Sequence, residues 1–335
     1  MNVFQNIKTY MLLFCLLIVS TVKANNTDPE PKHICLYDFS PDGVLCDLCG
    51  CSTSSGSFGF GTLSNANFVG VRYIYQNFES RNGIFENSPK SEETFNTYQV
   101  WAQIPINNSF YVTANLPYQD LTREFQGSYD NLNGIGDISA IGWYKLQFYK
   151  KKQADSSIVN FNLPKQPSGH SLQFGLGVKL PTGKFEEALA DNVNPGFQVG
   201  TGSFDGVFSL GYNYGGDKIG INTLVSYYLK GENKNDYQFG NQFSYSMNLF
   251  TVFSTDKMNI MPFAGISGDV YDSITQYGET LADTDGNILN ASLGSELAIE
   301  KFIFGASYTL PIQQSLFGDN VESKQRFSLY VNFAL

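Results

Sequence analysis

The sequence predicts an all-β fold: an antiparallel transmembrane up-and-down β-barrel of about 12 strands, behind a cleaved N-terminal signal peptide. Three observations carry this expectation. From Phe68 to Leu335, apolar residues alternate with polar or small ones at period two, the mark of strands with one apolar face. The connections between these stretches alternate between short and long. No segment beyond the leader is an unbroken apolar run of the roughly 20 residues that a membrane helix needs.

The leader comes first. Lys8 precedes an apolar stretch over 11–22, and Val22-Lys23-Ala24 puts small residues where signal peptidase reads them, so residues 1–24 are expected to be removed. The stretch is too short for a stable membrane helix. Lipidation at Cys15 is disfavoured, because Leu13 and Phe14 stand where small residues are required.

Residues 25–67 are expected to form a flexible, cysteine-rich periplasmic segment or plug. Cys35, Cys46, Cys49 and Cys51 lie within 17 residues of one another, with His33 beside them, and no cysteine follows Cys51. An oxidising compartment favours disulfides, and four cysteines allow three pairings. The same spacing suits a soft cation, Cu(I) or Zn(II), held by His33, Cys35, Cys46, Cys49 and Cys51, and thiol exchange is a third use. No other cofactor is indicated. Gly50 and the stretch 52–61 are flexible in composition.

The barrel is expected over 68–335. Its strands are read near 68–78, 93–105, 109–118, 135–148, 171–181, 196–214, 218–230, 237–253, 257–272, 288–299, 301–312 and 325–335. In the third, Phe110, Val112, Ala114 and Leu116 alternate with Tyr111, Thr113 and Asn115; in the last, Phe327, Leu329, Val331, Phe333 and Leu335 alternate with Ser328, Tyr330, Asn332 and Ala334. An even count puts both ends of the barrel on the periplasmic side. The connections at 106–108, 215–217, 254–256 and 300 are short and so periplasmic, whereas those after strands one, three, five, nine and eleven are long and so external. Two features strain the scheme. The 149–170 connection is long where a short turn belongs, and strand six changes parity between Phe197/Val199 and Phe208/Leu210, which a β-bulge at Gly200, Gly202 and Gly206 would reconcile.

Composition agrees with aromatic-rich strands: 28 Phe, 20 Tyr and 32 Gly against only 16% charged residues. A net charge of −10 argues against a nucleic-acid partner. The expected partners are outer-membrane lipid and lipopolysaccharide of a Gram-negative cell, together with a small-molecule solute. A soluble sandwich would also alternate, but here the second face is rich in Gly, Ser, Gln and Asn, the filling of a polar lumen. That face also carries Arg72, Asp137, Lys145, Lys179, Asp269, Glu296 and Arg326, the candidate pore-lining charges. Arg72 and Arg326 are expected to be neighbours across the closure, with Glu296 as the acid between them. Pairing that stiffens a narrow lumen and selection among solutes are both open readings of these charges.

Other motifs carry little. Asp283-Thr284-Asp285-Gly286-Asn287 lacks the glutamate a calcium loop needs and reads as a turn, and Gly183-Lys184 is followed by Phe185 where a phosphate loop needs Ser or Thr. The two histidines, His33 and His170, fall in the cysteine segment and a predicted connection, so no catalytic site is expected.

Three stretches resemble outer-membrane transporters grouped with the phenol-degradation meta-pathway barrels: Gly134-Ile135-Gly136-Asp137-Ile138, Lys179-Leu180-Pro181-Thr182-Gly183-Lys184-Phe185 and Phe197-Gln198-Val199-Gly200-Thr201-Gly202-Ser203. The resemblance implies a channel or transporter for small, apolar or aromatic solutes. A metal-binding or metal-export accessory and a structural or adhesive barrel without transport remain as alternatives.

Overall fold

Side chains along a strand point alternately to its two faces, so a sheet that alternates in polarity can enclose one face by closing on itself. The computed structural model shows that closure; it describes residues 67–81, 89–148, 169–188, 195–216, 218–255 and 258–335. The expected leader, the segment with His33, Cys35, Cys46, Cys49 and Cys51, and most of the 149–170 connection lie outside the described residues. The barrel has twelve strands. In order they are Phe68–Arg81, Lys90–Pro105, Phe110–Phe125, a fourth in two pieces (Ser128–Ile135 and Ile138–Gln147), Gly169–Leu180, Asp205–Gly215, Ile219–Leu229, an eighth in two pieces (Gln242–Thr251 and Phe253–Ser254), Met258–Tyr271, Gly286–Ile299, Phe302–Leu316 and Val321–Ala334. Each pairs antiparallel with the next, and the twelfth closes on the first with Phe68 opposite Ala334 and Arg72 opposite Tyr330. Closure leaves no open edge, which is what a strand structure in lipid requires.

The outward face is apolar in a band. Val69, Val71, Val100, Ile104, Phe174, Leu176, Leu293, Phe304, Leu310, Leu329 and Phe333 are exposed there. Tyr73, Tyr98 and Tyr118 stand at its outer edge, where the Tyr73 hydroxyl donates to Asn96 at 2.7 Å. Such amphipathic rings suit the boundary between hydrocarbon and headgroups. Above them the outward residues become polar, with Asn77 and Glu79 on strand one and Glu92 and Thr94 on strand two.

Two external connections differ from expectation. Those after strands three and eleven are not long loops. The strands continue past the apolar band and turn tightly, at Gln126-Gly127 and over 317–320. Gln126 and Gly127 have φ of 49° and 81°, the left-handed pair that matches strand twist in a two-residue hairpin. Arg123 bonds Asp130 across this hairpin at 2.8 Å. The polar alternation of these segments reads as loop in a sequence because solvent lies on the outer side and polar filling on the inner.

Strand six is a further correction. It begins at Asp205, and residues 195–204 fold into the barrel instead of extending it, so no bulge joins the two parities. Phe197 and Val199 are buried there, and the parity change marks where a segment leaves the wall.

Glycine in the wall makes room for rings. Inward glycines lie under aromatic rings of neighbouring strands: Gly175 under Trp143, Gly220 under Phe250, Gly294 under Phe263 and Gly305 under Tyr330. A Cβ at Gly305 would lie 1.9 Å from the Tyr330 ring, which cannot swing aside without leaving Glu296. Gly305→Val is therefore expected to destabilise the barrel by ~1–3 kcal/mol through overpacking. Urea unfolding in detergent measures this; a wild-type midpoint would show that Tyr330 moves freely.

Candidate functional site

A break in strand four starts the site. After Ile135 the strand leaves its partner, Gly136 N–H donates to the Pro117 carbonyl at 2.9 Å, and Asp137 turns inward. Lys179, the penultimate residue of strand five, meets it there. The Asp137 Oδ2 accepts from Lys179 Nζ at 2.9 Å, from the Thr201 N–H at 2.9 Å and from the Thr201 hydroxyl at 2.7 Å. Its Oδ1 accepts from the Gly183 N–H at 2.9 Å. Lys179 also pairs with Asp205 at 3.1 Å, and Asp205 with Lys230 at 3.4 Å. The Ser203 hydroxyl and the Gly231 N–H donate to Asp205 at 2.9 and 3.1 Å. Asp137, Lys179, Thr201, Ser203, Asp205 and Lys230 are all buried.

The stretches Gly134–Ile138, Lys179–Phe185 and Phe197–Ser203, far apart in sequence, thus meet at one node. Gly200 N–H donates to the Lys184 carbonyl at 2.9 Å, and a Cβ at Gly200 would lie 2.4 Å from the Gly183 backbone. The node fastens residues 195–204 to the wall at its outer end. Asp137 and Lys179 are legible in the sequence as inward charges. Asp205, Lys230, Thr201 and Ser203 are not, because their partners are set by folding.

Above the node the interior is apolar. Phe197 and Val199 pack with Phe78, Phe95 and Leu121 from strands one to three, Ile288, Leu316 and Val321 from strands ten to twelve, Phe317 from the turn between the last two, and Tyr237, Phe239 and Ile274 from two mouth loops. Those loops pair with each other, Thr275 opposite Gln238. The outer end is closed by apolar packing over a buried ionic fastening.

Glu93 borders this cluster above the membrane band. It is fully buried and accepts from the Ser80 hydroxyl at 2.9 Å. Burial pushes its carboxyl up to about 7, against smaller opposing effects of Ser80 and Arg123. A raised carboxyl favours folding in its neutral form, so this contribution is present below about pH 4.5 and is lost as pH rises through 7. Glu93→Gln is expected to remove that dependence and to be more stable than wild type at pH 8 by roughly 3 kcal/mol at most. Unfolding midpoints across pH 4–9 test it; parallel profiles for the two proteins would contradict it.

Below the node the lumen is mixed in chemistry, and most of its charges are countered. Arg72 donates to Gln99 at 2.8 Å and lies over the Trp101 ring at 4.3 Å. The register sets Arg72 opposite Tyr330 and Arg326 opposite Gln76, so the two arginines lie on the paired closing strands, offset along them. Tyr330 stands between Arg72 and Glu296, donating its hydroxyl to Glu296, and Arg326 donates to the Gln76 amide oxygen at 2.8 Å. Asp269 faces Arg326 and accepts from Ser244 and Gln242 at 2.6 and 3.0 Å. Lys145 is half-buried near the periplasmic end of strand four, apart from the other charges. Tyr111 and Trp143 stack at 5.8 Å between centroids, with the Tyr111 hydroxyl donating to Gln173 and the Trp143 indole N–H to Thr113. Among the described inward cations, Arg72, Lys179, Lys230 and Arg326 are thus countered by Asp137, Asp205, Asp269 and Glu296, while Lys145 stands apart from any of these acids.

Among the described residues no group of three His, Cys, Asp or Glu could hold a metal. The copper or zinc expectation concerns residues outside them. His170 lies on strand five rather than in a connection, exposed, with Nδ1 2.7 Å from the Tyr212 hydroxyl.

The family model described as "Putative MetA-pathway of phenol degradation" matches residues 91–311. No curated protein matches the sequence. Among solved structures, the chain is similar to the β domain of the Bordetella autotransporter BrkA, with TM-score 0.48, 9% identity, and 81% of this chain and all of that one covered. The translocator domain of autotransporter NalP from Neisseria meningitidis has TM-score 0.40, 11% identity, and 82% and 89% coverage of this chain and that one. The NanC porin has TM-score 0.39, 9% identity, and 78% and 100% coverage.

Proposed function

The chain belongs to the MetA-pathway phenol-degradation family, and on that premise we propose that it passes small, uncharged apolar or aromatic solutes through its lumen. The apolar band sits in the outer-membrane bilayer, and the polar extensions of strands one to four and ten to twelve stand in the lipopolysaccharide layer. Passage is passive and no covalent chemistry is assigned.

The observation that carries this reading is an interior whose charges, apart from Lys145 near the periplasmic end, are countered and whose remaining surface is aromatic and amide. An ion entering such a lumen loses hydration and, above Lys145, finds the fixed charges already engaged, so its transfer is costly. An aromatic solute loses little on leaving water and meets the rings of Trp101, Tyr111, Trp143 and Phe263 on the way. Arg72, Asp137, Lys179, Asp269, Glu296 and Arg326 serve as pore-lining groups that keep the lumen neutral and wet. Lys145, near the periplasmic end, sits where a solute leaves.

Proteoliposomes provide the test. Phenol is expected to cross faster than through empty vesicles, a hexose and potassium chloride far less, and the reversal potential in a salt gradient is expected near zero. Phenol flux equal to that of empty vesicles would refute the reading.

A further inference from the structure

The apolar closure contains one side chain whose surroundings are specific to a ring. Phe197 lies edge-on to Phe95, with centroids 5.8 Å apart and planes at 71°. The Arg123 guanidinium carbon lies 5.5 Å from the Phe197 centroid, and Asp130 holds Arg123 in place at 2.8 Å. A guanidinium near a ring face attracts only a π system, and an edge-to-face pair adds to what area burial supplies. Bulk closure needs neither.

The two sides of this contact differ in how they are held. Phe95, Leu121 and Arg123 belong to strands two and three, paired along their length. Phe197 belongs to the 195–204 segment, which has no ladder pairing with the wall; it is tied at Gln198 to the backbone of Glu187, itself outside the strands, and fastened beyond that at Gly200 and Thr201. Gly202, at φ +69°, supplies a left-handed turn just after the fastening. The wall therefore keeps its half of the contact when the segment moves.

We propose that Phe95, Leu121 and Arg123 form a binding site for an uncharged aromatic ring, that Phe197 is the protein's own occupant of it, and that an incoming aromatic solute takes the site by displacing Phe197. The proposal rests on the passage reading above and adds the place where the solute is first recognised. Closure and recognition are then the same contact, made in turn by the chain and by the solute.

The full-length Phe197→Ala protein, folded in detergent, tests this with benzene and cyclohexane as probes. Benzene is expected to raise its unfolding midpoint by more than that of wild type, where the ring must first displace Phe197. Cyclohexane, lacking a π face, is expected to raise it less, and Arg123→Met in the same background is expected to erase the difference. No benzene response, or equal responses to both probes, overturns the proposal. Phe197→Leu, which keeps an apolar filler but no ring, replaces Phe197→Ala if that variant does not assemble. Benzene is expected to raise its midpoint by more than cyclohexane does, and equal or absent responses overturn the site in the same way. Midpoints are read without transport, so benzene binding in a protein that passes no phenol refutes the passage reading alone, and phenol flux without a benzene response refutes the ring site alone.

Discussion

Lys179→Met is expected to unfasten the outer closure and to lower stability by about 3–5 kcal/mol, the cost of leaving buried charge uncompensated. Lys179 bridges Asp137 and Asp205, at 2.9 and 3.1 Å, in a region where all three side chains are buried. Without it Asp205 keeps Lys230 at 3.4 Å, while Asp137 keeps only neutral donors from Thr201 and Gly183. The remaining excess of negative charge is most cheaply relieved by admitting water, which means lifting residues 195–204. The expected readouts are a lower urea midpoint and a higher bilayer conductance. Adding Asp137→Asn removes the stranded charge and should recover much of the midpoint. A Lys179→Met protein with wild-type midpoint and conductance would show that the node is not a fastening.

Gly200→Val is expected to release the same segment by a steric route. The Cβ it introduces would lie 2.4–2.6 Å from three backbone atoms of Gly183, and neither backbone can yield without moving its segment. The penalty belongs at the upper end of the ~1–3 kcal/mol of overpacking, but it falls on docking and not on strand pairing. The barrel should therefore still assemble, seen as an unchanged heat-dependent shift on a gel, while conductance rises. Gly142→Ala is the control, since the nearest atom to its Cβ is 3.8 Å away. Equal conductance in the two variants would remove Gly200 from the closure. Lys179→Met and Gly200→Val disturb charge and shape separately, so agreement between them would locate the closure at their shared segment.

Much of the wall is legible in the sequence because period two is a local property. Phe110 to Leu116 alternates in sequence and alternates in burial in the structure, with Tyr111, Thr113 and Asn115 inside. The outer end of the same strand is less legible. From Tyr118 to Phe125 it carries polar residues on both faces, and a hairpin standing in water gives no contrast between them. Residues 196–204 mislead for a different reason. Phe197 and Val199 alternate as a strand does, but their partners are Phe95, Leu121 and Tyr237, up to about a hundred residues away.

By itself the sequence determined the class of wall, its strand number and the inward direction of Arg72, Asp137, Lys179, Asp269 and Glu296, because alternation and turn length are written within a few residues. Only the tertiary structure decided that Lys179 joins Asp137 to Asp205, that Gly183 and Gly200 touch, and that Phe197 fills the mouth instead of extending strand six. Those choices depend on which distant groups can satisfy a buried charge or fill a buried space, and only the closed barrel brings them within reach.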